Sequence, residues 1–126
     1  MLPLLMMGLI SLLFGCSRSN AVEGGLYCTP GDNGGYQLKI LKVDQGGVHI
    51  RGYSNYFPTR PSQIDEKSLY LAGTDYKPPD ILGLGHLPLS KETFASWKPV
   101  FIQLSTVTPE ELDGYEEWKK GNGGYF

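Results

Sequence analysis

The sequence predicts an α+β fold: a small, mostly antiparallel β-sheet with two short helices. Three observations predict it. Apolar and polar residues alternate over several short runs, and two later stretches carry helix-capping signatures. The 17 Gly and 9 Pro among 126 residues break the chain into short elements.

In chain order, Gly25-Leu26-Tyr27-Cys28 reads as a first short strand, and Pro30 to Gly35 as a turn by composition. Tyr36, Leu38 and Ile40 alternate with Gln37 and Lys39, the pattern of a strand with one wet face. The phase shifts at Leu41, which predicts a bulge near Ile40–Leu41. Asp44-Gln45-Gly46-Gly47 forms a tight loop, and Val48 and Ile50 alternate with His49 and Arg51 on the return strand. The hairpin so formed is expected to carry Lys39, His49 and Arg51 on its polar side. It resembles the Gly-rich hairpin of SH3-like small barrels, so an SH3-like partial barrel is the alternative form of the sheet. Residues 53–68 have two prolines and little period and read as a long loop. Leu69 to Ala72 reads as a short strand and residues 73–88 as loop again.

The capping signatures follow. Ser90 can cap a helix running to about Trp97, with Leu89 and Phe94 as its hydrophobic staple. Val100, Ile102 and Leu104 alternate as a further strand. Thr108-Pro109-Glu110-Glu111 then opens a second helix with a capping box and Pro at its first position. Leu112, Tyr115 and Trp118 share one third of that helix's circumference and should face the core. Gly121 ends the helix, and residues 121–126 are expected to form a loose tail.

Hydrophobic residues make up 40% of the chain and charged residues 19%, which is not the composition of a disordered chain. The net charge of −2 lacks the basic excess of a nucleic-acid binder, so no nucleic-acid partner is expected.

Residues 2–14 are almost wholly apolar and run into Leu13-Phe14-Gly15-Cys16, followed by a polar break. The run is short for a membrane span and suits a signal peptide. Leu13, Gly15 and Cys16 resemble the lipobox of bacterial lipoprotein signal peptides. That resemblance implies diacylglycerol on the Cys16 thiol and cleavage before it. The protein would then sit in the bacterial cell envelope, with the membrane as a partner through its lipid anchor. Two features depart from the pattern: Phe14 is bulky, and no Lys or Arg precedes the apolar run. A buried helix of a cytosolic domain is the competing reading of this segment. The expected organisation is a signal peptide over 1–15, a lipidated Cys16 and tether over 16–24, one globular domain over 25–120, and the tail.

Candidate chemistry is sparse. His-x-x-x-His, Cys-x-x-Cys and acidic calcium-loop spacings are missing, so neither a metal nor a cofactor is expected. Cys28 is expected to be a small buried hydrophobe in its strand. His49 is expected to be solvated. His86 is the weak catalytic candidate, a general base with Asp80 or Asp75 nearby, which would make the chain a small envelope hydrolase. The better candidate is a binding loop of Tyr53, Tyr56, Phe57 and Arg60, since aromatic rings beside an Arg are over-used at contact surfaces. The competing expectation is that these rings pack beneath the loop. The leading expectation is a membrane-tethered, non-catalytic binding module with an envelope protein as its partner.

Overall fold

The computed structural model describes residues 21–30 and 34–126. The expected signal segment, Cys16 and residues 31–33 of the first turn lie outside them. Strands β1 (Gly25–Pro30), β2 (Gly35–Val43), β3 (Gly47–Phe57), β4 (Leu84–Ser90) and β5 (Val100–Leu104) form one antiparallel sheet in the order β4-β3-β2-β1-β5. The sheet is open, with β4 and β5 as its edges, and does not close into a barrel. Two short helices, α1 (Lys91–Ser96) and α2 (Asp113–Lys120), complete the α+β fold.

The alternating apolar residues of the central hairpin make one buried face. Leu38 and Ile40 of β2 join Val48 and Ile50 of β3, Tyr27 of β1, Leu89 of β4 and Phe94 of α1. Each fully buried aliphatic side chain here stabilises the fold by about 1.5–3 kcal/mol. The expected bulge is present, as the β2–β3 register shifts between Ile40 and Lys42. Both cap signatures are realised. The Ser90 hydroxyl accepts the Thr93 N–H at 3.1 Å, and Leu89 and Phe94 are buried in the same cluster. Glu111 accepts the Thr108 N–H at 2.9 Å, while Thr108 Oγ1 accepts the Glu111 N–H at 3.3 Å. Cys28 is a buried free thiol in β1.

The opposite face is buried as well, and there the sequence expectation fails. Lys39 and His49, expected on the wet side of the hairpin, are 1% and 0% exposed, and Arg51 is half-buried. Alternation separates the two faces of a strand but does not say whether both are covered. The turn Glu66–Ser68 and the residues leading into α2 cover Lys39. Its ammonium donates to Glu66 Oε2 at 2.7 Å, to the Thr106 carbonyl at 2.7 Å and to Glu111 Oε1 at 2.9 Å. A smaller apolar cluster of Leu26, Tyr53 and Ile64 lies on this side. Gln103 closes it by pairing with the backbone of Ile64 through both ends of its amide, at 2.8 and 2.9 Å.

Two expected loops prove to be strand, and one expected strand is reduced to a bridge. β3 continues through Tyr53 to Phe57, because Tyr56 pairs with Tyr36 and Phe57 with Gly35. Residues 84–90 form edge strand β4 despite Pro88, whose missing N–H is tolerated at a sheet edge. Leu69 to Ala72 contributes only a single bridge, Ala72 to Leu82. The C-terminal residues are tied down. The Phe126 N–H donates to Pro88 O at 2.9 Å, the Ser90 N–H donates to Phe126 O at 2.8 Å, and Trp118 Nε1 donates to Gly124 O at 2.9 Å.

Candidate functional site

One candidate site grows from an irregularity in β3. Leu38 faces Gly52 and Tyr36 faces Tyr56, so three residues of β3 oppose the single residue Gln37 of β2. The excess turns Ser54 away from β2 and towards the segment 70–82. The Ser54 N–H donates to Tyr70 O at 2.9 Å, its carbonyl accepts the Ile81 N–H at 3.1 Å, and its hydroxyl accepts the Ala72 N–H at 2.6 Å. Asp80 is the second tie. It accepts the Tyr56 N–H at 2.9 Å and the hydroxyl of Tyr70. The Tyr70 hydroxyl, and then the Tyr56 N–H, hold the Asp80 carboxyl below its usual range.

Large apolar side chains are exposed along these tied segments and at the start of β4. Tyr56, Tyr70, Leu71, Tyr76, Ile81, Leu82 and Leu84 account for seven of the eleven exposed large hydrophobic residues among those described. Tyr36 and Tyr56 stand with ring centroids 5.4 Å apart, and the Tyr36 hydroxyl donates to Pro79 O at 2.9 Å. Beneath this surface lies a pocket of about 150 Å³, with Tyr36, Ile81, Leu82, Leu84 and Trp97 in its wall. An apolar cavity of about that size accepts a benzene-sized group.

The four residues expected to bind part company here. Tyr53 is 5% exposed and belongs to the core, where burial pushes its hydroxyl pKa up. Tyr56 lies in the exposed surface, Phe57 is half-buried at the end of β3, and Arg60 is exposed three residues further on. The sequence expectation missed Tyr70, Tyr76, Ile81 and Leu82. Their signal was the density of large apolar residues inside Pro- and Gly-rich loops, where no strand or helix period would bury them.

The second candidate is a histidine pair. His86 on β4 meets neither Asp75 nor Asp80 but His49, the residue expected to be solvated. The two rings stack at 5.2 Å, with His49 Nδ1 2.9 Å from His86 Nε2. His49 Nε2 lies 3.0 Å from Asp44 Oδ2 in the hairpin turn. The Asp44 carboxylate can only accept, so His49 presents a proton on Nε2 to it, and when His49 is neutral its Nδ1 accepts from His86 Nε2–H. Tyr115 and Trp118 of α2 close over His49 at 4.7 and 4.4 Å, and the Tyr125 hydroxyl donates to Asp44 Oδ1 at 2.5 Å. Burial, and then the neighbouring His49, push the His86 pKa down. Burial works against ionisation of Asp44, but hydrogen bonds from Tyr125, His49 and Gly47 outweigh it and hold its pKa at about 2. The chain Asp44–His49–His86 can orient a base at His86 Nδ1. Among the described residues, no Ser, Thr or Cys side chain hydrogen-bonds to either imidazole. Cys28 is enclosed in β1.

No family model matches this chain, and neither a curated protein nor a solved structure matches it. No helix among the described residues is long and apolar enough to cross a membrane. No group of three or more His, Cys, Asp or Glu among them is placed to hold a metal ion.

Proposed function

We propose that this protein is a non-catalytic binding module of the bacterial cell envelope. It is tethered to the membrane through a lipid on Cys16 and engages a protein partner through the aromatic surface around Asp80. The observation that carries the reading is the exposure of Tyr56, Tyr70, Ile81 and Leu82, on segments that Ser54 and Asp80 tie together. Hydrogen bonds to and from Ser54, and from the Tyr56 N–H to Asp80, hold their backbone in place. Exposed large apolar side chains gathered on tied segments are costly to leave in water and typical of interaction sites. Aromatic side chains give such a site large contact area for little conformational entropy. The lipobox resemblance supports the tether. The histidine chain is read as structural, since His49 is fully buried between Asp44 and His86.

Site-specific photocross-linking in cells tests the binding reading. A photoreactive residue at Ile81 or Leu82 should give an adduct of discrete mass, and one at Lys119 should give none. Tyr56→Ala should abolish the adduct. Thermal stability should fall by only about 1 kcal/mol, the value of one ring pair. Equal adducts at all three positions, or unfolding by Tyr56→Ala, would refute it.

A further inference from the structure

We propose that the groove where the described chain begins is a binding site for an acyl chain, the one carried on Cys16. This inference rests on the lipid-tether reading above. The groove lies between the β2–β3 hairpin and α1, encloses about 630 Å³, and is lined by Ala21, Val22, Val43, Val48, Phe94 and Ala95. Its floor is the main core, since Val48 and Phe94 belong to the buried cluster and Ala21 and Val43 pack against it. Its rim is open: Val22 is 41% exposed, and Ala95 is exposed on α1. The result is a trough, mostly apolar in lining, that is continuous with the core and half open to solvent.

Position identifies the occupant. Ala21 is itself part of the wall, and Cys16 lies five residues earlier. Five residues reach at most about 18 Å, so a lipid on Cys16 is within reach of the groove. The intervening residues, Ser17-Arg18-Ser19-Asn20, are polar and unsuited to an apolar trough. Once residues 1–15 are removed, the nearest apolar matter along the chain is the acyl chain itself. An unbranched hydrocarbon suits a trough lined by small and β-branched side chains, because it leaves no polar group unpaired there. Lys91, exposed on the rim, can lay its alkyl stem along the chain and keep its ammonium in water, near the ester oxygens of the diacylglycerol. Such a site draws one chain of the anchor onto the protein and sets the hairpin and α1 facing the bilayer.

Growth of the producing cells on a diazirine-bearing fatty acid would place a photoreactive group on the lipid. The lipidated protein is purified in detergent, irradiated and digested, and the cross-linked peptides are identified by mass spectrometry. The expected result is label on Cys16, with intramolecular cross-links to residues 43–48 and 91–95. The double substitution Val22→Glu, Ala95→Glu puts carboxylates at the rim without touching the floor. It should lower those cross-links by about tenfold while leaving the label on Cys16. Label on Cys16 with cross-links only to detergent or to other faces would overturn the groove while leaving the tether standing. No label on Cys16 would overturn both.

Discussion

Lys39 is the buried cation on which one side of the sheet depends, and its partners can be removed one at a time. Its side chain is 1% exposed, that of Glu111 15% and that of Glu66 36%. Glu66→Gln removes the more solvated charge and should lower stability by about 1 kcal/mol. Glu111→Gln removes the more enclosed charge and should cost about 2 kcal/mol. After either change the ammonium still has one carboxylate and the Thr106 carbonyl. After both it is a buried charge without a counter-charge, a state that costs about 3–5 kcal/mol. The double variant should therefore lose about 5 kcal/mol, against about 3 kcal/mol for the sum of the singles. Such a loss is a large part of the 5–15 kcal/mol that holds a typical domain together. Urea denaturation of the four proteins at neutral pH measures it, and each kcal/mol should also move the melting temperature by about 4 °C. The acid side gives a second reading. Burial disfavours the Glu66 carboxylate, but Lys39 and Ser105 outweigh burial and lower its pKa from the ordinary 4.5. Its contribution is therefore full above pH 4.5 and is lost as pH falls through the lower folded value. The double variant should lack that part of the acid loss. Additivity within about 0.5 kcal/mol would mean that Lys39 is solvated and the network is not as described.

Two further outcomes follow from the histidine pair. Because the His86 pKa is lowered on folding, the unfolded chain takes up that proton first, so stability should decline as pH falls below about 6.5, and His86→Phe should flatten that decline in pH-dependent thermal melts. Gly114→Ala adds a methyl that would lie 2.6 Å from His86 Cβ, so it should destabilise by about 1–3 kcal/mol in urea titrations despite the better helix propensity of Ala; a gain in stability would show that α2 does not press on β4 there.

What could be read from the sequence was local. The hairpin, its bulge near Ile40–Leu41, the Ser90 cap with its staple and the Thr108–Glu111 capping box all depend on residues within a few positions of one another. The errors share one physical cause. Lys39, His49 and Arg51 looked exposed because their alternation with apolar neighbours says nothing about what lies above them. Their cover comes from residues far along the chain: Glu66, Glu111, Trp118 and Tyr125. Tyr53 was legible as aromatic but not as core, because its burial depends on Ile64 and Leu26. The binding surface was half legible. Tyr56 stood out beside an Arg. Tyr70, Tyr76, Ile81 and Leu82 joined it only through Ser54 and Asp80, whose backbone bonds leave no trace in a hydropathy pattern.

The two faces of β2 differ in kind rather than in burial, which gives the sheet a proofreading mechanism. If β2 slipped by one residue against β3, Lys39 would enter the hydrocarbon of Tyr27, Ile50 and Phe94, and Leu38 or Ile40 would confront the carboxylates of Glu66 and Glu111. A strand with two greasy faces could absorb such a slip with little loss. Here a one-residue slip strands a charge, so that wrong alignment is rejected for its electrostatics before side-chain packing discriminates against it. The ion cluster thus does for alignment what a keyway does for a shaft: it adds little to the grip and permits only one seating.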